Sequence, residues 1–290
     1  MPELTIGVGI STAVEPGVDP AAQAVHAERL GYDFVSASDH PAGDTASYEV
    51  LGLLTWAAAR TERIGLATRV LGAPFRRPAM MAKQAESLHR LSGGRLILGL
   101  GGGASDFEIA AVGAAAHTPG QKVAGLIDTT VIARSAWARS DVSYSGRVHS
   151  VSGLTITPHP DAPIPIWFGT YGPRALDATG RYADGWIPSH GFFDRTQLQH
   201  ALDRIDQARA AAERPAGAVR AVYNVPVRVD AHGRSSDGEI TGTAHDVAEQ
   251  LLDLVELGFT GFNLQPPVDQ FELIATDVLP LLRAADSSTD

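Results

Sequence analysis

The sequence predicts a (β/α)8 TIM barrel, and two observations lead to this fold class. Short apolar runs rich in Val, Ile and Leu alternate with longer stretches of helical periodicity, which is typical of parallel strands joined by crossover helices. Eight such units follow one another along 290 residues, and a barrel of eight units needs roughly 250 residues. An open, doubly wound sheet shows the same alternation, but eight regular units without a large second domain favour closure.

The boundaries of the predicted elements follow from turn residues and helix caps. The predicted strands are 4–10, 33–38, 63–71, 95–101, 164–169, 185–188, 220–229 and 260–265. The clearest predicted helices are 20–30, 47–60, 78–91, 194–213, 243–257 and 269–284. Several of these helices begin with Pro, Ser, Thr or Asp, as helix N-termini commonly do.

The segment between the fourth and fifth strands, residues 104–163, is too long for a single crossover. It contains a predicted helix at 121–139 and a predicted hairpin at 142–151. We expect this insertion to lie over the mouth of the barrel, where such elements commonly cover a substrate pocket. The whole chain, residues 1–290, is therefore expected to form one domain with a disordered tail at about 285–290.

The composition favours small-molecule chemistry. A net charge of −10 without any basic run argues against a nucleic acid partner. The absence of cysteine excludes disulfides, thiolate catalysis and sulfur-ligated metals. No pair of histidines has the spacing of metal ligands on one helix, so no metal is predicted. No stretch reaches the roughly 18 apolar residues of a membrane span, and no targeting segment precedes the first strand, which predicts a cytoplasmic protein without membrane contact.

A turn with the features of an anion site follows the fifth strand. It consists of Gly169, Thr170, Tyr171, Gly172, Pro173 and Arg174. The glycines permit close backbone approach, the threonine offers a hydroxyl, and the arginine adds a cation. The proline suits the first turn of a helix whose free N–H groups attract an anion. An ordinary strand-to-helix turn has the same composition, so this segment alone leaves both interpretations open.

Three consecutive glycines, Gly101, Gly102 and Gly103, end the fourth strand. Their lack of side chains leaves room for a planar ring against the backbone. Glycine clusters at strand ends also occur where the backbone dihedrals are unusual, so the triplet is equally compatible with a simple turn.

Taken in order along the chain, these motifs resemble the bacterial luciferase-like superfamily. The resemblance rests on Ser38–His40, Arg76–Pro78, Leu91–Gly103, Gly169–Leu176 and Tyr182–Trp186. Members bind FMN or the deazaflavin coenzyme F420, and this sequence is more similar to the F420-dependent oxidoreductases. The resemblance implies a cofactor at the C-terminal mouth of the barrel, hydride transfer between F420 and a small organic substrate, and a homodimer.

Three other functions remain open at this point. With FMN as cofactor, the resemblance implies a two-component monooxygenase that uses reduced flavin. A barrel could also bind flavin without turnover. A generic phosphate-binding barrel enzyme, such as an aldolase, is disfavoured because Lys83 and Lys122 fall in helix patterns, which leaves no obvious Schiff-base lysine at a strand end.

The resemblance also implies a backbone feature after the third strand. In the family, this stretch carries a non-prolyl cis peptide bond that supports the central ring of the cofactor. The matching residues are Thr68, Arg69, Val70 and Leu71. Arg69 departs from the small or apolar residues usual there, and it could instead line the mouth and pair with an acid.

His40 is the predicted catalytic residue, with Asp39 beside it. It matches a position that several deazaflavin-dependent relatives place near the reacting carbon. Its imidazole titrates near neutrality and can exchange the proton that accompanies hydride transfer, although the two residues could simply form a polar turn. Asp106 and Glu108 follow the glycine triplet and either face the pocket or cap a helix, with capping favoured for Asp106.

Overall fold

The computed structural model describes residues 4–230 and 238–287, and eight parallel strands close into a barrel. The barrel strands are β1 (Thr5–Gly9), β2 (Phe34–Ala37), β3 (Gly65–Thr68), β4 (Leu96–Gly101), β5 (Ile166–Gly169), β6 (Gly185–Trp186), β7 (Arg220–Val229) and β8 (Gly261–Gln265). Each strand pairs with the next one, and β8 closes the barrel against β1 with Thr5 opposite Gly261. The predicted (β/α)8 fold is therefore confirmed.

Helices surround the barrel and connect its strands. They are α1 (Pro20–Arg29), α2 (Val50–Ala58), α3 (Pro78–Leu91), α4 (Asp106–Ala111), α5 (Pro119–Ala138), α6 (Pro173–Tyr182), α7 (Arg195–Ala211), α8 (Ala244–Leu257), α9 (Phe271–Leu273) and α10 (Leu279–Ser287). Reciprocal capping boxes at Thr118, Asp194 and Thr243 fix the N-termini of three of them. In the part of the chain that the structure describes, no helix is both long enough and apolar enough to cross a bilayer.

The third predicted strand, 63–71, is interrupted. β3 ends at Thr68, a cis peptide bond joins Arg69 to Val70, and Leu71–Gly72 then pairs with the end of β4. The non-prolyl cis bond that the resemblance implied is thus confirmed within the predicted stretch. The side chains of Arg69 and Val70 point in different directions, since Arg69 Nε donates to Ser36 Oγ of β2 whereas the Val70 methyl groups lie beside Gly101 and Gly169.

The insertion between β4 and β5 differs from the prediction. Helix α5 packs between α3 and α6 as the crossover helix of the barrel, which leaves α4 and the hairpin as the additional elements. The hairpin, Val142–Ser145 with Ser150–Leu154, packs against α5. The buried Asp128 of that helix holds its turn by accepting hydrogen bonds from the backbone N–H groups of Val148 and His149.

The C-terminal end is more helical than predicted. Helix α10 continues to Ser287 and includes the first part of the predicted tail. Its alanines are strong helix formers. The remainder of the predicted tail, residues 288–290, lies outside the described residues.

The barrel interior changes from apolar to polar toward its C-terminal mouth. The lower part is filled by Phe34, Ala67, Trp167, Ile187 and Val222. Phe34 of β2 and Trp167 of β5 meet edge to face with ring centroids 5.5 Å apart, so both point into the barrel. Residues two positions further along the strands face the same way, which places polar side chains at the mouth.

Candidate active site

A ring of polar side chains, here called the polar collar, lines the mouth of the barrel. It consists of Ser36, Arg69, Ser189, Asn224, Asn263 and Gln265. The amide nitrogens of Asn263 and Gln265 both donate to Asn224 Oδ1 at 2.7 Å, and Asn224 Nδ2 donates to Ser189 Oγ at 2.9 Å. The buried Asn263 Oδ1 has no hydrogen-bond partner among the described residues. The sequence analysis missed the amides and serines, although polar residues at inward positions of otherwise apolar strands could have revealed them.

Arg69 is the cation of the collar. Its Nε donates to Ser36 Oγ at 3.2 Å. Within the described residues no carboxylate lies within ion-pair distance of its guanidinium, so the alternative in which it pairs with an acid is wrong for that part of the chain. Burial lowers the pKa of Arg69 to about 10, which still leaves the group positively charged at neutral pH.

Val70 points the other way, into a space that glycines provide. A Cβ atom on Gly101 would lie 2.7 Å from Val70 Cγ2, and a Cβ atom on Gly169 would lie 3.1 Å from both Val70 methyl groups. Gly99 is equally constrained, because a Cβ there would lie 2.0 Å from the carbonyl oxygen of Thr68. The Thr68 hydroxyl is itself used in this packing, since it donates to Gly99 O at 2.7 Å.

The glycine triplet therefore has a different role from the one predicted. Gly101 makes room for Val70 and does not expose bare backbone to a ring. A Cβ atom on Gly102 would lie 3.3 Å from Lys122 Cβ, and one on Gly103 would lie 3.0 Å from Ile109 Cδ1. These two glycines let α4 and α5 pack closely on the end of β4, and the surface presented to the mouth is the Val70 side chain.

His40 and Glu108 form a hydrogen-bonded pair at the rim of the mouth. His40 Nδ1 lies 3.1 Å from Glu108 Oε1, and the imidazole is 65% exposed while the carboxylate side chain is 9% exposed. The pair lines a cavity of about 290 Å³ together with Thr12, Ala13, Ala42, Gly43, Asp44, Thr45 and Ser47. A carboxylate that accepts from Nδ1–H fixes the ring orientation and leaves Nε2 available for another partner.

Asp39 has a structural environment that differs from the predicted catalytic one. Its carboxylate is fully buried and accepts from Arg76 Nη1 at 2.6 Å, from Arg76 Nη2 at 2.9 Å and from the backbone N–H of Gly72 at 2.9 Å. Arg76 also contacts Glu49 Oε1 at 2.5 Å. Both oxygens of Asp39 are thus engaged in holding the segment that follows Val70, which makes it a positioning residue in this geometry.

The turn after β5 uses its polar side chains for contacts within the protein. The Thr170 hydroxyl lies 2.7 Å from the hydroxyl of Thr179 in α6, so it does not face the mouth as expected of an anion ligand. Tyr171 stacks on Phe192 with ring centroids 4.2 Å apart, and its hydroxyl accepts from the backbone N–H of Ser189 at 3.2 Å. Both side chains stabilise the turn.

The end of this turn is open. Gly172 precedes Pro173, the first residue of α6, and a Cβ atom on Gly172 would meet nothing within 4 Å. Arg174 lines a cavity of about 430 Å³ between α5 and the hairpin, with Arg147 on its other side. An open helix N-terminus next to two arginines is suited to an anion.

The family model described as luciferase-like monooxygenase matches residues 5–237. The chain belongs to the luciferase-like monooxygenase family. This family match spans every barrel strand except β8.

Individual relatives of this luciferase-like chain carry more specific descriptions. F420-dependent glucose-6-phosphate dehydrogenase from Intrasporangium calvum is 29% identical, with 89% of this chain and 93% of the relative covered. The protein of the same name from Beutenbergia cavernae is 30% identical, with 92% and 94% covered. The solved structure of an F420-dependent secondary alcohol dehydrogenase with an F420–acetone adduct superposes with a TM-score of 0.86 at 16% identity, over 97% of this chain and 99% of the other.

Replacement of Asp39 by Asn tests its positioning role. We expect Asp39→Asn to lower the free energy of unfolding by about 3 kcal/mol, because it leaves the buried Arg76 guanidinium without its main partner. Urea unfolding followed by circular dichroism measures the change. The matched control is Asp19→Asn, whose ion pair with Arg60 is largely exposed, so that a loss below about 1 kcal/mol is expected. Equal losses in the two variants would contradict the role assigned to Asp39.

Proposed function

We propose that this protein is an F420-dependent oxidoreductase that transfers a hydride between coenzyme F420 and a small organic substrate. The observation that carries the proposal is the His40–Glu108 pair, which faces a cavity at the barrel mouth. Two relatives described as F420-dependent glucose-6-phosphate dehydrogenases align over 89% and 92% of this chain. They support F420 as the cofactor.

The residues at the mouth fit a deazaflavin with an anionic tail. Val70, held between glycines, offers an apolar platform for a tricyclic ring. The unpaired Asn263 Oδ1 is a buried acceptor that a ring N–H would satisfy. Gly172 and Arg174 at the N-terminus of α6, with Arg147 across the cavity, suit the tail. When bound, the deazaflavin supplies hydride transfer at its central ring.

His40 is the residue that exchanges the proton in this proposal. Oxidation of an alcohol to a carbonyl releases one proton from the hydroxyl group along with the hydride, and a base must accept it. In this proposal Nε2 of His40 accepts that proton, while Glu108 holds Nδ1 and orients the ring. Glu108 thus acts through His40 and is a positioning residue.

A cofactor titration tests the proposal. We expect purified protein to bind oxidised F420 with a micromolar or lower dissociation constant and to bind FMN at least tenfold more weakly, measured by the change in cofactor fluorescence. A preference for FMN would favour the monooxygenase alternative instead. Because a deazaflavin lacks the ring nitrogen beside the position where flavin captures oxygen, the choice of cofactor separates the two reaction classes.

Replacement of His40 tests the proton transfer. We expect His40→Ala to lower kcat by about 100-fold or more, with the F420 dissociation constant within threefold of the wild type. Alcohols and sugar phosphates, among them 2-propanol and glucose 6-phosphate, are first screened for one with which the wild type reduces F420. The loss of F420 absorbance with that substrate is then the readout for each variant. Glu108→Ala should cause a smaller loss. His245→Ala removes a surface histidine that pairs with Glu249 at 3.3 Å, and it should leave kcat unchanged. F420 binding without any turnover by the wild type would contradict the oxidoreductase function.

A homodimer also belongs to the proposal. Trp56 of α2 and Met80 of α3 are 59% and 58% exposed on two helices that pack side by side. Large apolar side chains on adjacent helices are typical of a surface that a second copy covers. We expect Trp56→Asp to convert a dimer to a monomer in light scattering, whereas Leu281→Asp on α10 should not. A wild-type monomer at micromolar concentration would contradict this arrangement.

A further inference from the structure

Arg69 places a positive charge inside the barrel mouth without a compensating negative charge among the described residues. The only hydrogen bond of its guanidinium among those residues is the one from Nε to Ser36 Oγ, at 3.2 Å. The two terminal nitrogens, Nη1 and Nη2, have no partner within residues 4–230 and 238–287. Arg69 is half-buried, and withdrawing a charge even partly from water is costly unless another charge or hydrogen bonds replace the lost water.

The nearby carboxylates are engaged elsewhere. Asp39 is bound by both terminal nitrogens of Arg76, and Glu108 is bound by His40. The amide oxygen of Asn224 accepts from two other amides of the collar. Within the described residues the Arg69 guanidinium therefore donates only to a neutral acceptor, Ser36 Oγ, and the charge of the collar is positive.

The direction of the side chain indicates which ligand it faces. Arg69 and Val70 flank the same peptide bond, and Val70 reaches the glycines of β4 and β5. Arg69 reaches the opposite wall, where Ser36 belongs to β2 and where Nη2 lies 3.9 Å from the Cβ position of Gly9 in β1. His40 follows β2 on that same side of the mouth. A molecule that contacts both Arg69 and His40 therefore lies across the mouth from the Val70 platform.

We propose that Arg69, with Ser36 and the neighbouring amide of Gln265, forms an oxyanion subsite that binds a carboxylate or phosphoryl group of the substrate. The inference rests on the proposed function, since it assigns the substrate side of that site. The planar guanidinium presents Nη1 and Nη2 as a fork that matches two oxygens of either group. Gln265 lies beside this fork, with its Cγ 3.4 Å from the same Cβ position of Gly9. The substrate class is thereby narrowed to small organic acids or phosphate esters that carry an oxidisable or reducible carbon.

The subsite predicts an unusual effect on stability. Arg69→Gln removes an uncompensated charge, so the ligand-free variant should melt at the same temperature as the wild type or higher. A purely structural arginine would give the opposite result, because its removal breaks favourable contacts. Arg69→Lys retains the charge without the planar fork, so the rise in its melting temperature on addition of an anion should lie between those of the wild type and Arg69→Gln.

Thermal melting of the cofactor-free protein tests the subsite. Melting temperatures are measured in sodium phosphate and in sodium acetate, each compared with sodium chloride at equal ionic strength. We expect phosphate or acetate to raise the Tm of the wild type by about 2–5 °C near tenfold above its Kd, and the more effective anion identifies the phosphoryl or the carboxylate class. Arg69→Gln should lose this rise. Arg63→Gln, which removes an exposed arginine just before the same strand, should keep it.

The outcomes separate this inference from the proposed function. No rise in the wild type with either anion, or an undiminished rise in Arg69→Gln, overturns the subsite. Loss of the rise together with a tenfold weaker F420 affinity in Arg69→Gln also overturns it, because the arginine would then belong to the cofactor site. Loss of the rise with unchanged F420 affinity supports it. Failure of the wild type to bind F420 refutes the proposed function without altering the anion response.

Discussion

The close packing of Val70 against glycines of β4 and β5 is the constraint on which the rest of the mouth depends. A Cβ atom on Gly101 would lie 2.7 Å from a Val70 methyl group, so no other residue fits there without movement of the chain. The packing directs Val70 toward β4 and β5 and thereby directs Arg69 toward β1 and β2. One backbone turn thus divides the mouth into an apolar platform and a cationic wall.

The ionic groups around this turn have distinct roles that follow from their partners. Asp39 is saturated by Arg76 and by the Gly72 N–H, so it holds the chain in place. The Glu108 carboxylate has one side-chain partner among the described residues, the exposed His40, whose ring it orients. Arg69 lacks an acidic partner in the described part of the chain, which leaves its binding capacity for a ligand. Asp39, whose carboxylate is fully hydrogen-bonded within the protein, positions the site, whereas Arg69, whose terminal nitrogens lack a partner among the described residues, is available to a ligand.

The barrel was predictable from the sequence, but the surroundings of several predicted site residues were not. His40 and the non-prolyl cis bond lie where they were expected, because both belong to short motifs with a fixed place after a strand. Thr170 was expected to contact an anion, but its hydroxyl meets Thr179 nine residues later in the chain. The long crossover after β4 was expected to be an insertion as a whole, but its helix α5 packs between α3 and α6 as part of the barrel.

The sequence by itself determined the eight strand–helix units, the order of the motifs and the residue types at the strand ends, because hydrophobic periodicity and turn chemistry are local properties. The tertiary structure decided which side chain fills the space beside each glycine, and which charge finds a partner. Those outcomes depend on contacts between segments far apart in the chain, such as Val70 with Gly169, or Glu108 with His40. No local pattern encodes such distances, so only the closed barrel shows that Arg69 has no acidic partner among the described residues.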